Sequence, residues 1–89
     1  MKLKKYTEAI NCLDKENDSI NKYKLLAEAY MKLKKYDYAY NSYLKAKDLG
    51  DIYSIYELYK LTKKGKGIKK DKELANKLYL EYLMYSNKG

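Results

Sequence analysis

The opening eleven residues, MKLKKYTEAIN, return thirty residues later as MKLKKYDYAYN, Met31 to Asn41. Six identical residues at a fixed offset, continued by Ala9/Ala39 and Asn11/Asn41, mark a repeat architecture. A unit of about thirty residues is a single supersecondary element. It cannot bury its own apolar face, so copies must stack and share a core. The 89 residues are read as about two and a half such units in one domain, the first of them a half unit. A chain of this size buries only about 60–65% of its unfolded surface.

The kind of unit follows from what the chain lacks. Pro, Phe, Trp, His, Arg and Val are absent, the basic residues are all lysine and the thirteen aromatics all tyrosine. Without proline or an alternating β-branched pattern, the units are expected to be helical. The missing residues also exclude chemistry. No histidine means no proton shuttle poised near neutrality, no histidine-bearing zinc site and no Ser–His or Cys–His nucleophile. A lone Cys12 cannot form an internal disulfide and fits a reducing compartment. Lys2-Leu3-Lys4-Lys5-Tyr6 has positive charge with no apolar run behind it, so it is no signal peptide. No stretch approaches the roughly twenty apolar residues of a membrane span. The expectation is a cytoplasmic chain without cofactor, metal or catalysis. Asn17-Asp18-Ser19 matches a glycosylation sequon, read here as chance.

Five helices organise the sequence. The first, about Tyr6 to Lys15, carries Ala9, Ile10 and Leu13 on one side. Asn17-Asp18-Ser19 caps a second helix to about Leu33, with Tyr23, Leu26, Ala27 and Tyr30 at the i, i+3, i+4, i+7 spacing of a buried stripe. The Lys34-Lys35 turn leads to a third helix, about Asp37 to Leu49, with Ala39, Tyr40, Tyr43 and Ala46 on its stripe. Gly50 then reads as a C′ residue and Asp51 as the next N-cap. A fourth helix, Ile52 to about Thr62, and a fifth, capped by Asp71 and running to about Tyr85, flank the loop Lys63 to Ile68. Short connections make neighbouring helices antiparallel. Ala27 and Ala39 on facing helices permit close approach of their axes, the pattern of a helical hairpin.

These residues carry a resemblance. Ile20 to Gly50 resembles a tetratricopeptide repeat: Tyr23, Leu26, Ala27, Tyr30, Tyr36, Ala39, Tyr43 and Ala46 stand in that motif's order. Residues 51–89 resemble the related Sel-one-like repeat through Tyr59, Gly65-Lys66-Gly67-Ile68, Asp71, Ala75, Leu78 and Tyr79. Residues 1–19 resemble the second half of a further repeat. The resemblance implies an all-α solenoid, an α-α superhelix of antiparallel hairpins, acting as a protein–protein interaction module. Departures stand at Tyr56 and Tyr82-Leu83, where the family prefers Gly or Ala. The fifth helix is apolar nearly all round, so both ends look open to neighbouring repeats or to self-association.

Three functional readings remain open. In the first, the concave face implied by the resemblance binds a peptide segment of a protein partner. It would use Lys24, Leu25, Glu28, Met31 and Lys32 on one hairpin and Tyr53, Glu57, Lys60 and Leu61 on the next. The clamp by which some tetratricopeptide domains hold a terminal carboxylate is not expected, because Leu25 and Glu28 replace partners of Asn21 and Lys24. The second is electrostatic. Of the net +8, Lys60 to Lys72 supplies +6, seven lysines against Asp71. Aligned turns would set Lys4, Lys5, Lys34, Lys35, Lys63, Lys64, Lys66, Lys69 and Lys70 along one basic edge. That edge would attract acidic protein, anionic lipid or nucleic acid. Without arginine it has no bidentate fork, so any nucleic-acid binding would be non-specific. The third reading is structural, a homo-oligomer closed through the open ends.

Two further motifs are set aside. Gly65-Lys66-Gly67 lacks the spacing and the preceding strand of a phosphate loop. Cys12 is expected to pack among apolar neighbours, and Tyr38, which shares a helix face with Asn41, Ser42 and Lys45, to be the exposed exception among the tyrosines.

Overall fold

The computed structural model describes residues 2–87; Met1, the first residue of the duplicated block, and residues 88–89, at the end of the stretch expected to form the last repeat, lie outside them. The described residues form five helices and no strand: α1 (Lys2–Asp14), α2 (Ile20–Lys32), α3 (Tyr36–Asp48), α4 (Ile52–Lys64) and α5 (Lys72–Ser86). The helix starts follow their caps. The Ser19 hydroxyl accepts from the Lys22 amide, Asp51 from Ser54, and Asp71 from both Glu73 and Leu74. Each satisfies a backbone donor that the first turn cannot pair internally.

Three helices end in the same way. Past α4, the Lys66 amide donates to the Leu61 carbonyl and the Gly65 amide to Thr62. Past α3, Asp51 donates to Ala46 and Gly50 to Lys47; past α2, Lys35 donates to Tyr30 and Lys34 to Met31. This is the Schellman pattern, which needs a left-handed residue at its turn. Gly65 (φ +75°) and Gly50 (φ +107°) supply it at no steric cost, but after α2 the position falls to Lys34 at φ +60°.

The duplicated hexapeptide therefore takes two shapes. In its second copy the chain leaves a helix at Leu33, turns at Lys34 and starts α3 at Tyr36. In the first, residues 2–6 all lie within α1. Helix α1 thus begins earlier than Tyr6, and Lys4 and Lys5 are helical residues, not a turn. Lysine and leucine are good helix formers, so the block contains nothing that forces a break. The break in the second copy comes from packing: Leu33 leans on the cluster formed by Ile10, Tyr23, Leu26, Ala29 and Ala46.

Helices pack on their sequence neighbours, and side-chain pairs show these neighbours to be antiparallel. Tyr30 near the end of α2 stacks on Tyr38 near the start of α3, with ring centres 5.2 Å apart. Tyr59 meets Tyr79 at 5.0 Å and Tyr56 meets Tyr82 at 5.1 Å across α4 and α5. The bulky departures at Tyr56 and Tyr82 accommodate each other in this way. A second cluster joins Ala27, Tyr40, Tyr43, Ile55, Leu58, Leu61 and Leu78 from α2 through α5. Ala27, Ala39 and Ala46 are fully buried, as close helix approach requires.

Inside this core the Thr62 hydroxyl donates to the Leu58 carbonyl at 2.7 Å. Its single proton is thereby used, so at the 3.1 Å contact with Tyr40 the phenol is the donor. Two ion pairs join alternate helices: Lys24 to Asp51 at 3.8 Å and Lys47 to Glu81 at 3.3 Å. No described helix is long and apolar enough to cross a membrane.

Candidate functional site: the groove between α2 and α4

Two residue pairs one helical turn apart, Lys24 and Glu28 on α2 and Tyr53 and Glu57 on α4, face a common recess of about 380 Å³. Tyr43, Asp51 and Ser54 complete its lining. Asp51 fixes the relative placement of its walls. One carboxylate oxygen caps α4, accepting from the Ser54 amide at 3.0 Å and hydroxyl at 2.6 Å, while the other pairs with Lys24. The Lys24 ammonium lies 5.4 Å from the centre of the Tyr53 ring, which is 67% exposed and the most open large apolar side chain of the molecule's described residues. A cation above an aromatic face holds that ring in place without covering its other face.

The charge of this groove opposes that of the chain. Glu28, Asp51 and Glu57 stand against Lys24 and Lys60, and Lys60 is engaged with Glu57 at 3.0 Å. Burial, reinforced by Glu57, Glu28 and Asp51, pushes the Tyr43 phenol up to about 12. At neutral pH Tyr43 therefore presents a neutral hydroxyl, able to donate and to accept.

The remaining expected residues separate. Leu25 and Lys32 line a different recess of about 550 Å³ against Tyr6 and Cys12 of α1, with Glu28 bordering both. Cys12 is exposed there instead of packed, because α1 turns Ile10 and Leu13, not Cys12, toward α2. Leu61 is 4% exposed and belongs to the core, so it is not available to a partner, and Met31 is half-buried against the same cluster. One turn from Glu57, Leu61 falls on the inward side of α4 because that helix packs against both α3 and α5.

Among the lysines, Lys34 and Lys35 occupy the α2–α3 turn, Lys63 and Lys64 end α4, and Lys66, Lys69 and Lys70 lie in the loop before α5. The Lys66 ammonium sits 4.8 Å from the centre of the Tyr36 ring, which brings the α4–α5 loop onto the α2–α3 turn.

Sequence reasoning missed a third recess, about 440 Å³ between α2 and α3, bordered by Tyr23, Tyr30, Tyr38, Asn41 and Lys45. Lys45 and Lys22 both lie over the Tyr23 ring, whose hydroxyl donates to Asp18 at 2.7 Å. The shared face of Tyr38, Asn41 and Lys45 was its signal. Tyr38 is exposed as expected, but Ser42 is buried, its hydroxyl donating to the Tyr38 carbonyl, and Tyr53, Tyr79 and Tyr85 are exposed too. Among the described residues no group of His, Cys, Asp or Glu side chains could hold a metal ion. No family model, curated protein or solved structure matches the chain, so its five-helix architecture and the grooves above are what bear on its function.

Proposed function

We propose that this chain is a non-catalytic interaction module that seats a peptide segment of a partner protein in the groove between α2 and α4. The observation that carries the reading is the convergence of Lys24, Glu28, Tyr53 and Glu57 from two non-adjacent helices on one recess, with Tyr43 at its wall. The resemblance of the hairpins to tetratricopeptide and Sel-one-like repeats supports it, since such stacks present the first helix of each hairpin on the concave side. An open tyrosine ring offers an apolar platform of low conformational entropy, and carboxylates around it select for charge. Because those carboxylates outnumber the ammoniums, the segment that fits best carries lysine or arginine beside an apolar anchor. The lysine edge, which would steer acidic partners, is a separate surface from this groove.

Selection of a random peptide library on the purified chain tests this. Enriched sequences are expected to share a basic-plus-apolar pattern and to lose about tenfold or more in affinity on Tyr53→Ala or Glu57→Gln, as loss of a central anchor does. Sequences that bind both variants as well as the parent chain would exclude the groove.

A further inference from the structure

The lysine-rich loop after α4 is pinned at three points. Gly65 closes α4 in the left-handed conformation, and the Lys70 side chain packs against it. Gly67, at φ +78°, lies so close to the Tyr36 carbonyl that any β-carbon there would overlap it. Ile68 packs against the core cluster of α3, α4 and α5. A solvated charge run needs none of these anchors.

The pinned loop leaves a recess of about 360 Å³ between the end of α4 and the start of α5, lined by Tyr59, Lys63, Lys70, Lys72, Ala75 and Asn76. No carboxylate is in that lining. Among the described residues the four ion pairs involve Lys22, Lys24, Lys47 and Lys60, and none involves the three lysines of this recess. The neighbouring Asp71 carboxylate is turned to the cap of α5, where it accepts from the Glu73 and Leu74 amides. Lys63 is drawn toward the recess wall by the Tyr59 hydroxyl, 3.4 Å away, and lies 5.7 Å from the centre of that ring. Three lysines border this one recess with no carboxylate among them, so an anion seated there would be attracted by all three.

We propose that this recess binds a soluble ligand carrying two or more clustered phosphoryl groups. Lysines act as point charges and lack the planar fork that matches a single carboxylate, so they favour compact, multiply charged groups. The Tyr59 hydroxyl and the Asn76 amide add neutral donors. The volume lies at the small end of the range for small-molecule sites, and its concavity suits a soluble ligand better than a flat bilayer surface. This site is separate from the α2–α4 groove, and its failure would leave the peptide reading untouched.

Calorimetric titration of the full chain with inorganic tripolyphosphate, at about 0.1 M salt where exposed charges are screened beyond ~10 Å, tests the proposal. One saturable site per chain is expected. Lys63→Gln and Lys70→Gln should each weaken it about tenfold, whereas Lys4→Gln and Lys34→Gln, which remove the same charge elsewhere, should change it less than about twofold. Thermal melts followed by circular dichroism accompany each variant; tripolyphosphate should raise the midpoint of the parent chain and of Lys34→Gln by more than that of Lys70→Gln. Equal losses from all four variants, or binding without saturation, would overturn the proposal in favour of diffuse polycation behaviour. Vesicles of phosphatidylcholine and phosphatidylserine form the second arm. Lys70-dependent binding to them, with no response to tripolyphosphate, would assign the recess to a membrane headgroup and overturn the soluble-ligand proposal.

Discussion

Lys34 and Gly67 occupy the same left-handed region of backbone space, one with a side chain and one without. An L-residue there costs about 1–2 kcal/mol, partly offset because glycine adds freedom to the unfolded chain. Lys34→Gly is therefore expected to stabilise the protein by about 0.5–1 kcal/mol, read as a higher urea midpoint at unchanged slope. Gly67→Ala should act in the opposite sense and cost more than about 1 kcal/mol, because a β-carbon meets the Tyr36 carbonyl as well as an unfavourable φ. At Gly50, which has open space around it, the same substitution meets only the backbone penalty.

Tyr43 gives the residue scale a pH signature. Its folded pKa of about 12 lies above the unfolded value near 10, so the folded chain keeps a proton that the unfolded chain releases. The associated stability is complete below about pH 10 and is lost as pH rises through about 12, a loss of up to about 3 kcal/mol. Tyr43→Phe should flatten that alkaline limb of the stability curve. A remainder will persist, because burial also raises Tyr30, and the hydrogen bond to Asp18 raises Tyr23.

At the scale of helices, the boundaries set by caps were legible in the sequence. Ser19, Asp51 and Asp71 have side chains whose chemistry marks a helix start, and Gly50 marks an end; α4 runs past the expected Thr62 to Lys64, where Gly65, read from the sequence only as part of a loop, closes it. The start of α1 and the turn at Lys34 were not legible, since identical residues serve both and packing alone separates them. The burial of Leu61 was hidden for a related reason. Periodicity gives a helix its faces, but α4 packs on two neighbours and so buries a wider arc than one stripe. Of the nine residues expected on the concave face, Lys24, Glu28, Tyr53 and Glu57 converge and Lys60 pairs with Glu57 beside them. Leu25 and Lys32 instead line the recess against α1, and Leu61 and Met31 pack with the core. The Asp71 cap offers a test at this scale. It satisfies two amides of α5, whose outer side exposes Leu80 at 61% and Met84 at 62% and gains little from burial. Asp71→Ala should cost about 1 kcal/mol and loosen α5 first, seen as faster amide exchange in its first turn than in α2 or α3.

Across the whole molecule, opposite charges occupy different places. A chain of net +8 concentrates its lysines at the α4–α5 loop and lines the α2–α4 groove with carboxylates, so two ligands of opposite sign could be held at once. The backbone of the described body extends over 38 × 27 × 15 Å. Each helix leans chiefly on the one before and the one after it. That arrangement has a kinetic consequence. Partners separated by so little chain meet after only short loops have closed, so the entropy spent before the first favourable contact is small. Folding is therefore expected at the fast end of the range for a domain of this size.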